Sequence, residues 1–366
     1  MNLQKVTADL IRFRTETGNI PEMLRCMEYV QKLFAETNAE ITLYRKDALA
    51  PVLLLANTRE MDFDALTVGH LDVVPASEEM FNPVFKDGKL FGRGALDMKS
   101  FAAVGLECLQ YVLEEKLPLK YGVLLCGDEE KGSFGLDAFL RDYPDLRAKL
   151  VLDVDVAGNI ANIVAKCKNP VFVKIIATGR EAHGSTPWYG IDANEKLLQV
   201  WQNIRRFYPY YSAENSKPEN TWIDTVHFAK IAGGEVANVI ANSAEALLDF
   251  RLTECSSLAD LAAKLEKCMV QGTEFKIISS GAPVVMDEQN PQIQRYKTLL
   301  EAELGRACEF EYIGGATDSQ FFANRGSVVI MNSGSGDGMH AAGEFVEWQS
   351  VEQLARVHKR FLASLK

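Results

Sequence analysis

The chain has 366 residues, 47% of them hydrophobic and 24% charged, which is enough to bury a large core and, at this length, favours two domains over one. Lys and Arg total 39 against 50 for Asp and Glu, and a net charge of −11 repels phosphate backbones and anionic lipid, arguing against nucleic-acid and membrane-surface partners. No segment approaches the ~20 apolar residues of a membrane span, and charges run through the amino-terminal MNLQKVTADLIRFRTE, so a soluble cytoplasmic protein is expected.

In chain order, Leu3, Val6 and Leu10, then Met23, Met27, Val30, Leu33 and Phe34, recur at helical spacing, the second set opening at Pro21 in a favoured first-turn position. Apolar runs at ITLYR, PVLLLAN, ALTVGH, YGVLLCG and KLVLDVD predict strands, with a helix over about Asp97 to Glu115 between the third and fourth. That alternation predicts an α/β unit built on a mixed sheet. From Asn169 the order becomes strand (PVFVKIIATG), helix (Asp192 to Phe207), two strands (TWIDTVHFAKI and AEALLDFRL), helix (Ser257 to Val270) and strand (EFKIIS). This is the β-α-β-β-α-β order of a ferredoxin-like α+β sandwich. A helix from Gln292 to Leu304, the strand SVVIMN and a terminal helix from Gln349 then return to the first pattern. The expected organisation is a larger domain over 1–167 and 282–366, interrupted by an inserted domain over 168–281, with SAENSKPEN as a solvated loop of the insert. The seven cysteines, odd in number and widely spaced, read as reduced and mostly buried thiols.

His, Asp and Glu fall at the ends of the apolar strands. His70 closes ALTVGH, and Asp72 lies on the same side of the extended chain. A strand histidine is often simply packed, but one at the carboxyl end with a carboxylate to orient it is suited to a metal. Asp97 follows three glycines in GKLFGRGALDMKS and reads either as a helix N-cap or as a carboxylate reaching inward to a cation. Asp128, Glu129 and Glu130 end a further strand, where three successive acids repel one another unless a cation or a catalytic task offsets the cost. Asp153 and Asp155 interrupt the apolar VLDVDVAGN, and His340 sits in the glycine-rich SGSGDGMHAAGEF. Together these are the hard oxygen and imidazole donors of a zinc, manganese or cobalt site, without the thiolates of structural zinc.

The ordered series HLDVVP, GRGALDMKS, GDEEKGSFG, AHGSTP, GGEVANVIANSAEALLDFR, GGATDSQFF and MHAAGEF resembles that of the acetylornithine deacetylase, succinyl-diaminopimelate desuccinylase and aminoacylase superfamily of dinuclear zinc peptidases. The resemblance implies a mixed-sheet catalytic domain with an inserted ferredoxin-like lid and dimerisation domain. It implies two divalent ions, zinc or else cobalt or manganese, with Asp97 bridging them, His70 on one, and Glu130 and His340 on the other. Glu129 becomes the general base that activates a bridging water, and Asp72 the partner that orients His70. The fifth ligand is Asp155 or Asp153, where relatives carry Glu-Pro-Thr or an Asp variant; Asp155 is preferred because Ala157, Gly158 and Asn159 match the small residues that follow the family's Glu. His183 in ATGREAHGSTP is implied to stabilise the tetrahedral intermediate, delivered from the partner of a homodimer through the inserted domain.

On the substrate side, Asn238, Arg251, Gly314, Gly315 and Thr317 resemble pocket positions, and an Arg suits bidentate carboxylate recognition. Ala241 in place of the usual Pro, and the missing Arg in TDSQFF, disfavour a succinylated diacid. The implied reaction is therefore hydrolysis of the linear amide of an N-acyl amino acid or dipeptide. A non-hydrolytic binding or regulatory member would be expected to lose Glu129 or a ligand, and a two-metal phosphoesterase would want basic residues around the site. His227 and His358 lack motif context and read as structural or surface groups.

Overall fold

The computed structural model describes residues 1–156, 158–214 and 218–365; Ala157 and the middle of SAENSKPEN lie outside them. The chain divides into two compact units, one of Met1–Ala165, Met286–Glu311 and Thr317–Lys366, the other of Lys166–Val285 with Tyr312–Ala316.

The first unit is built on a mixed sheet. In spatial order six of its nine strands are Glu40–Tyr44, Val52–Ala56, Tyr121–Cys126, Asp62–His70, Arg147–Asp153 and Val328–Met331. The last four run parallel, and the first two pair antiparallel at one side. VLLLA and YGVLLC are buried at every position, as expected of strands covered on both faces. The helix Lys99–Glu114 is buried over most of its length and packs on this sheet at Gly105, where a Cβ would come within 2.9 Å of Thr67 Cγ2. The helices Leu3–Arg12 and Ile20–Leu33 open on the side-chain caps of Asn2 and Asn19. Because four strands run in parallel, the carboxyl ends of Asp62–His70, Tyr121–Cys126 and Arg147–Asp153 lie side by side at one edge of the sheet.

A second, small sheet was not legible in the sequence. Its strands, in the order Gly336–Asp337, Phe345–Glu347, Lys89–Phe91 and Val84–Lys86, have two or three residues each, too few for any periodicity. It pairs Phe91 with Phe345 and Leu90 with Val346, and so ties the segment before Asp97 to the segment after His340.

The second unit follows the predicted order: Asn169–Thr178, Ala193–Ile204, Thr225–Gly233, Ser243–Leu252, Leu258–Cys268 and Thr273–Ser280. Its strands pair antiparallel with the third and first in the centre, the ferredoxin-like arrangement. Asn169–Thr178 alternates buried and half-buried residues, with Val171, Val173, Ile175 and Ala177 pointing into the core. Six of the seven cysteines are buried and Cys255 is exposed.

His358 is structural. It is buried in the helix Trp348–Ala363, its Nε2 lies 3.0 Å from the Tyr296 hydroxyl, and that hydroxyl donates to Asn332 Oδ1 at 2.8 Å, so Nε2–H is the donor to Tyr296. Burial pushes its pKa down to about 3 from 6.5. The unfolded chain therefore takes up a proton below pH 6.5 that the folded chain refuses, and folding loses stability from 6.5 down to about 3 at up to ~1.4 kcal/mol per pH unit. His358→Gln, which keeps a donor for Tyr296, should flatten this limb; urea midpoints at pH 7 and pH 4.5 should converge relative to the wild type, and parallel profiles would refute the assignment.

Candidate metal centre

Each strand end delivers its side chain by a local device. Gly69 lets His70 approach the next loop, since a Cβ there would meet Met98 Cε at 2.5 Å, and the Met98 sulfur accepts the His70 N–H. His70 Nδ1 lies 2.9 Å from the Asp72 carbonyl and 3.3 Å from Asp72 Oδ1, which turns Nε2 towards Asp97 Oδ1 at 3.0 Å and Asp155 Oδ1 at 3.6 Å. Asp97 is not a helix cap: the helix opens after Met98, without a side-chain cap. Its other oxygen, Oδ2, lies 2.9 Å from His340 Nε2, and that nitrogen is 3.2 Å from Glu130 Oε2. His340 holds this position with φ of 59°, in the left-handed region that a non-glycine residue enters at a cost.

Two donor groups result, His70–Asp97–Asp155 and Asp97–Glu130–His340, with the donor atoms of each within 4.8 Å of one another and Asp97 common to both. Asp155 and not Asp153 joins the first group; Asp153 instead accepts the Asp155 N–H at 2.9 Å. Of the three acids after Cys126, Asp128 turns away and accepts the N–H of Gly135, in the first turn of the helix Phe134–Asp142, at 2.8 Å. Glu130 faces His340, and Glu129 belongs to neither group. Asp72 accepts the N–H of Glu129 (3.1 Å) and of Glu130 (3.3 Å), so one carboxylate fixes both the imidazole and the acidic turn.

Charge is unbalanced in a way a cation would correct. Burial, together with the neighbouring Asp97 and Asp153, pushes Asp155 up to about 7 against the opposing pull of His70. Burial and Asp155 raise Glu129 well above the usual carboxylate range. Asp97 and Glu130 raise His340 to about 10, and Asp155, Asp72 and Asp97 raise His70 despite the burial that opposes its charged form. Glu130 Oε1 is buried and has no hydrogen-bond partner among the described residues. Divalent cations fit this donor set: they favour carboxylates that are ionised and imidazoles that are neutral, and they give a buried orphan oxygen a partner.

A profile of peptidase family M20/M25/M40 matches residues 66–364. The chain belongs to this family. A probable carboxypeptidase of Aspergillus clavatus is 30% identical over 201 residues, spanning 52% of this chain and 48% of that protein, about half its length. Acetylornithine deacetylase of Pasteurella multocida is 25% identical over 321 residues, covering 82% of this chain and 80% of the relative. An M20 family metallo-carboxypeptidase from Sulfolobus solfataricus has the same fold, with a TM-score of 0.81 at 14% identity over 100% and 99% of the two chains. The M20 chain is thus a metal-dependent hydrolase of amide bonds. Among its described residues no helix is long and apolar enough to cross a membrane.

The remaining sequence candidates of this M20 member divide between the two units. In the second unit His183 is exposed, and its neighbour Gly184 donates to the Asn238 carbonyl at 2.7 Å, bringing these two together. The Ser185 N–H donates to His183 Nδ1 at 3.1 Å, so the neutral ring carries its proton on Nε2. Arg251 spends Nε and Nη2 on Asp249, at 2.9 and 3.1 Å. Gly315 also lies in the second unit, whereas Thr317 lies in the first, buried, its hydroxyl donating to Asp153 Oδ2 at 2.5 Å. Residues that the sequence analysis passed over support the site. Thr17 donates to Asp72 Oδ2 at 2.8 Å, and Glu344, fully buried, accepts from Arg93 and from the N–H groups of Gly94, Leu96 and Asp97. The signal for Glu344 was present, since it lies in the MHAAGEF motif that supplies His340.

Proposed function

We propose that the chain hydrolyses the linear amide of an N-acyl amino acid or dipeptide at a two-cation centre held by His70, Asp97, Asp155, Glu130 and His340. The observation that carries this reading is the shared Asp97, each of whose oxygens faces a different histidine (3.0 and 2.9 Å) within a different donor group. Zinc, or else cobalt or manganese, would polarise the scissile carbonyl and lower the pKa of water towards neutrality. Glu129, outside both donor groups but on the same turn as Glu130, takes the proton of the attacking water and delivers it to the leaving amine. Asp72 keeps His70 and the Glu129 turn in register. His183, with its proton on Nε2, is the donor for the developing oxyanion, and Arg251, held by Asp249, and Asn238, with the backbone at Gly315, select a substrate carboxylate. The buried Thr317 is given a supporting task and not a substrate contact.

Protein purified without chelator and reloaded with zinc should hold two equivalents by elemental analysis, and a panel of N-acyl amino acids and dipeptides should identify turnover. Saturation at zero or one equivalent would overturn the dinuclear reading. We further propose a homodimer in which His183 serves the partner's site. Mixing inactive His183→Ala and Glu129→Gln chains should then return about a quarter of wild-type activity, because one of the two sites in each mixed dimer is intact. Verified mixed dimers without activity would refute action in trans.

A further inference from the structure

A second set of buried polar groups joins the segments that carry the donors. It is built on Thr317, Asp318 and Ser319, all buried, just before the short helix Gln320–Ala323. Thr317 reaches one way: its hydroxyl donates to Asp153 Oδ2, and Asp153 Oδ1 accepts the Asp155 N–H. Asp318 reaches the other way: Oδ2 accepts from Cys126 Sγ at 2.9 Å, at the end of the strand Tyr121–Cys126, and Oδ1 accepts the Ser133 hydroxyl. Ser133 closes the acidic turn. Its N–H donates to the Asp128 carbonyl at 2.9 Å, the Gly132 N–H donates to the Glu129 carbonyl at 2.9 Å, and Gly132 and Ser133 have φ of 104° and 56°. Asp318 makes no ion pair among the described residues, so it buries a carboxylate against a thiol and a hydroxyl alone. Hydrogen-bonded polar groups buried in this way rigidify the segments they join.

We propose that Asp318 is a positioning residue for hydrolysis: by holding Ser133 and Cys126 it fixes the turn that carries Glu129 and Glu130, while the adjacent Thr317 fixes Asp155 through Asp153. The strands Tyr121–Cys126 and Arg147–Asp153 flank Asp62–His70 on opposite sides, so this one turn sets the spacing of the two carboxylate arms about His70. The catalytic half of the inference rests on the proposed hydrolysis; the positioning half does not.

The test compares wild type with Asp318→Asn, Ser133→Gly and the double variant. Ser133→Gly removes the hydroxyl while tolerating the left-handed φ, so it stays informative if Asp318→Asn folds poorly. On the best substrate of the panel, kcat should fall ~10- to 100-fold in each single variant with KM changed less than about twofold, and zinc content should be retained. Amide hydrogen exchange at Lys131, Gly132, Ser133 and Gly135 should rise ~10-fold or more in Asp318→Asn, while Val123 to Leu125 stay unchanged. The double variant should be no worse than the worse single one, because both remove the same contact. Unchanged exchange overturns the clamp whether or not the enzyme turns over. Faster exchange with unaltered kcat, or losses that multiply in the double variant, overturns its catalytic part. A wild type that hydrolyses nothing in the panel counts against the hydrolysis reading, and exchange then decides the clamp by itself.

Discussion

Glu129→Gln should leave folding and zinc uptake intact and lower turnover by ~10² to 10⁴. The amide is nearly isosteric with the carboxylate, and the turn is held by main-chain N–H groups on Asp72, not by the Glu129 side chain. Because Glu129 belongs to neither donor group, its replacement should not cost a metal ligand. What is lost is the capacity to accept a proton from water. Steady-state kinetics on the best panel substrate, with metal content measured on the same preparation, provides the check. Turnover near that of the wild type would place the base elsewhere.

The second large effect is expected at Glu344. Its Oε1 accepts from Leu96 and Asp97 at 2.8 and 3.0 Å, and its Oε2 from Arg93 and Gly94 at 2.5 and 3.2 Å. In Glu344→Gln one end of the side chain becomes an NH2 group facing donors, and the buried Arg93 loses its counter-charge. Breaking a buried pair in this way costs about 3 to 5 kcal/mol. The loop that presents Asp97 loosens with it, so zinc affinity measured by chelator competition should drop ~10- to 100-fold. A melting temperature and zinc affinity equal to those of the wild type would refute this role.

Most of the longer strands and helices, and the ferredoxin-like insert, could be read from the sequence because each is long enough to display a period, as in the alternation of Asn169–Thr178 or the continuous apolar run of Val52–Ala56. His70, Asp97, Glu130, Asp155 and His340 were legible because acids and imidazoles stand out at the ends of apolar runs, and the structure brings all five together. The supporting groups were hidden for a different reason. Thr17, Ser133 and Asp318 act through hydrogen bonds to residues far away in sequence, and nothing local marks a Thr or Ser as a clamp. Asp97 has two locally reasonable readings, cap or ligand, and only the start of the helix after Met98 separates them. Thr317 resembled a pocket residue because its motif is adjacent to Gly314 and Gly315, yet the chain passes from one unit to the other between Ala316 and Thr317.

The small sheet that pairs Lys89–Phe91 with Phe345–Glu347 imposes an order on assembly. A growing chain that has released residues 1–165 already contains His70, Asp97 and Asp155, one complete donor group, and also Glu130. It still lacks His340 and the Glu344 carboxylate on which the Asp97 loop rests. The whole inserted unit must be synthesised before the second group can close. On the proposed two-cation reading, metal loading during biosynthesis would then be stepwise, the first cation entering a half-built site and the second waiting on the last few dozen residues, so a chain truncated before His340 would be caught at the one-cation stage.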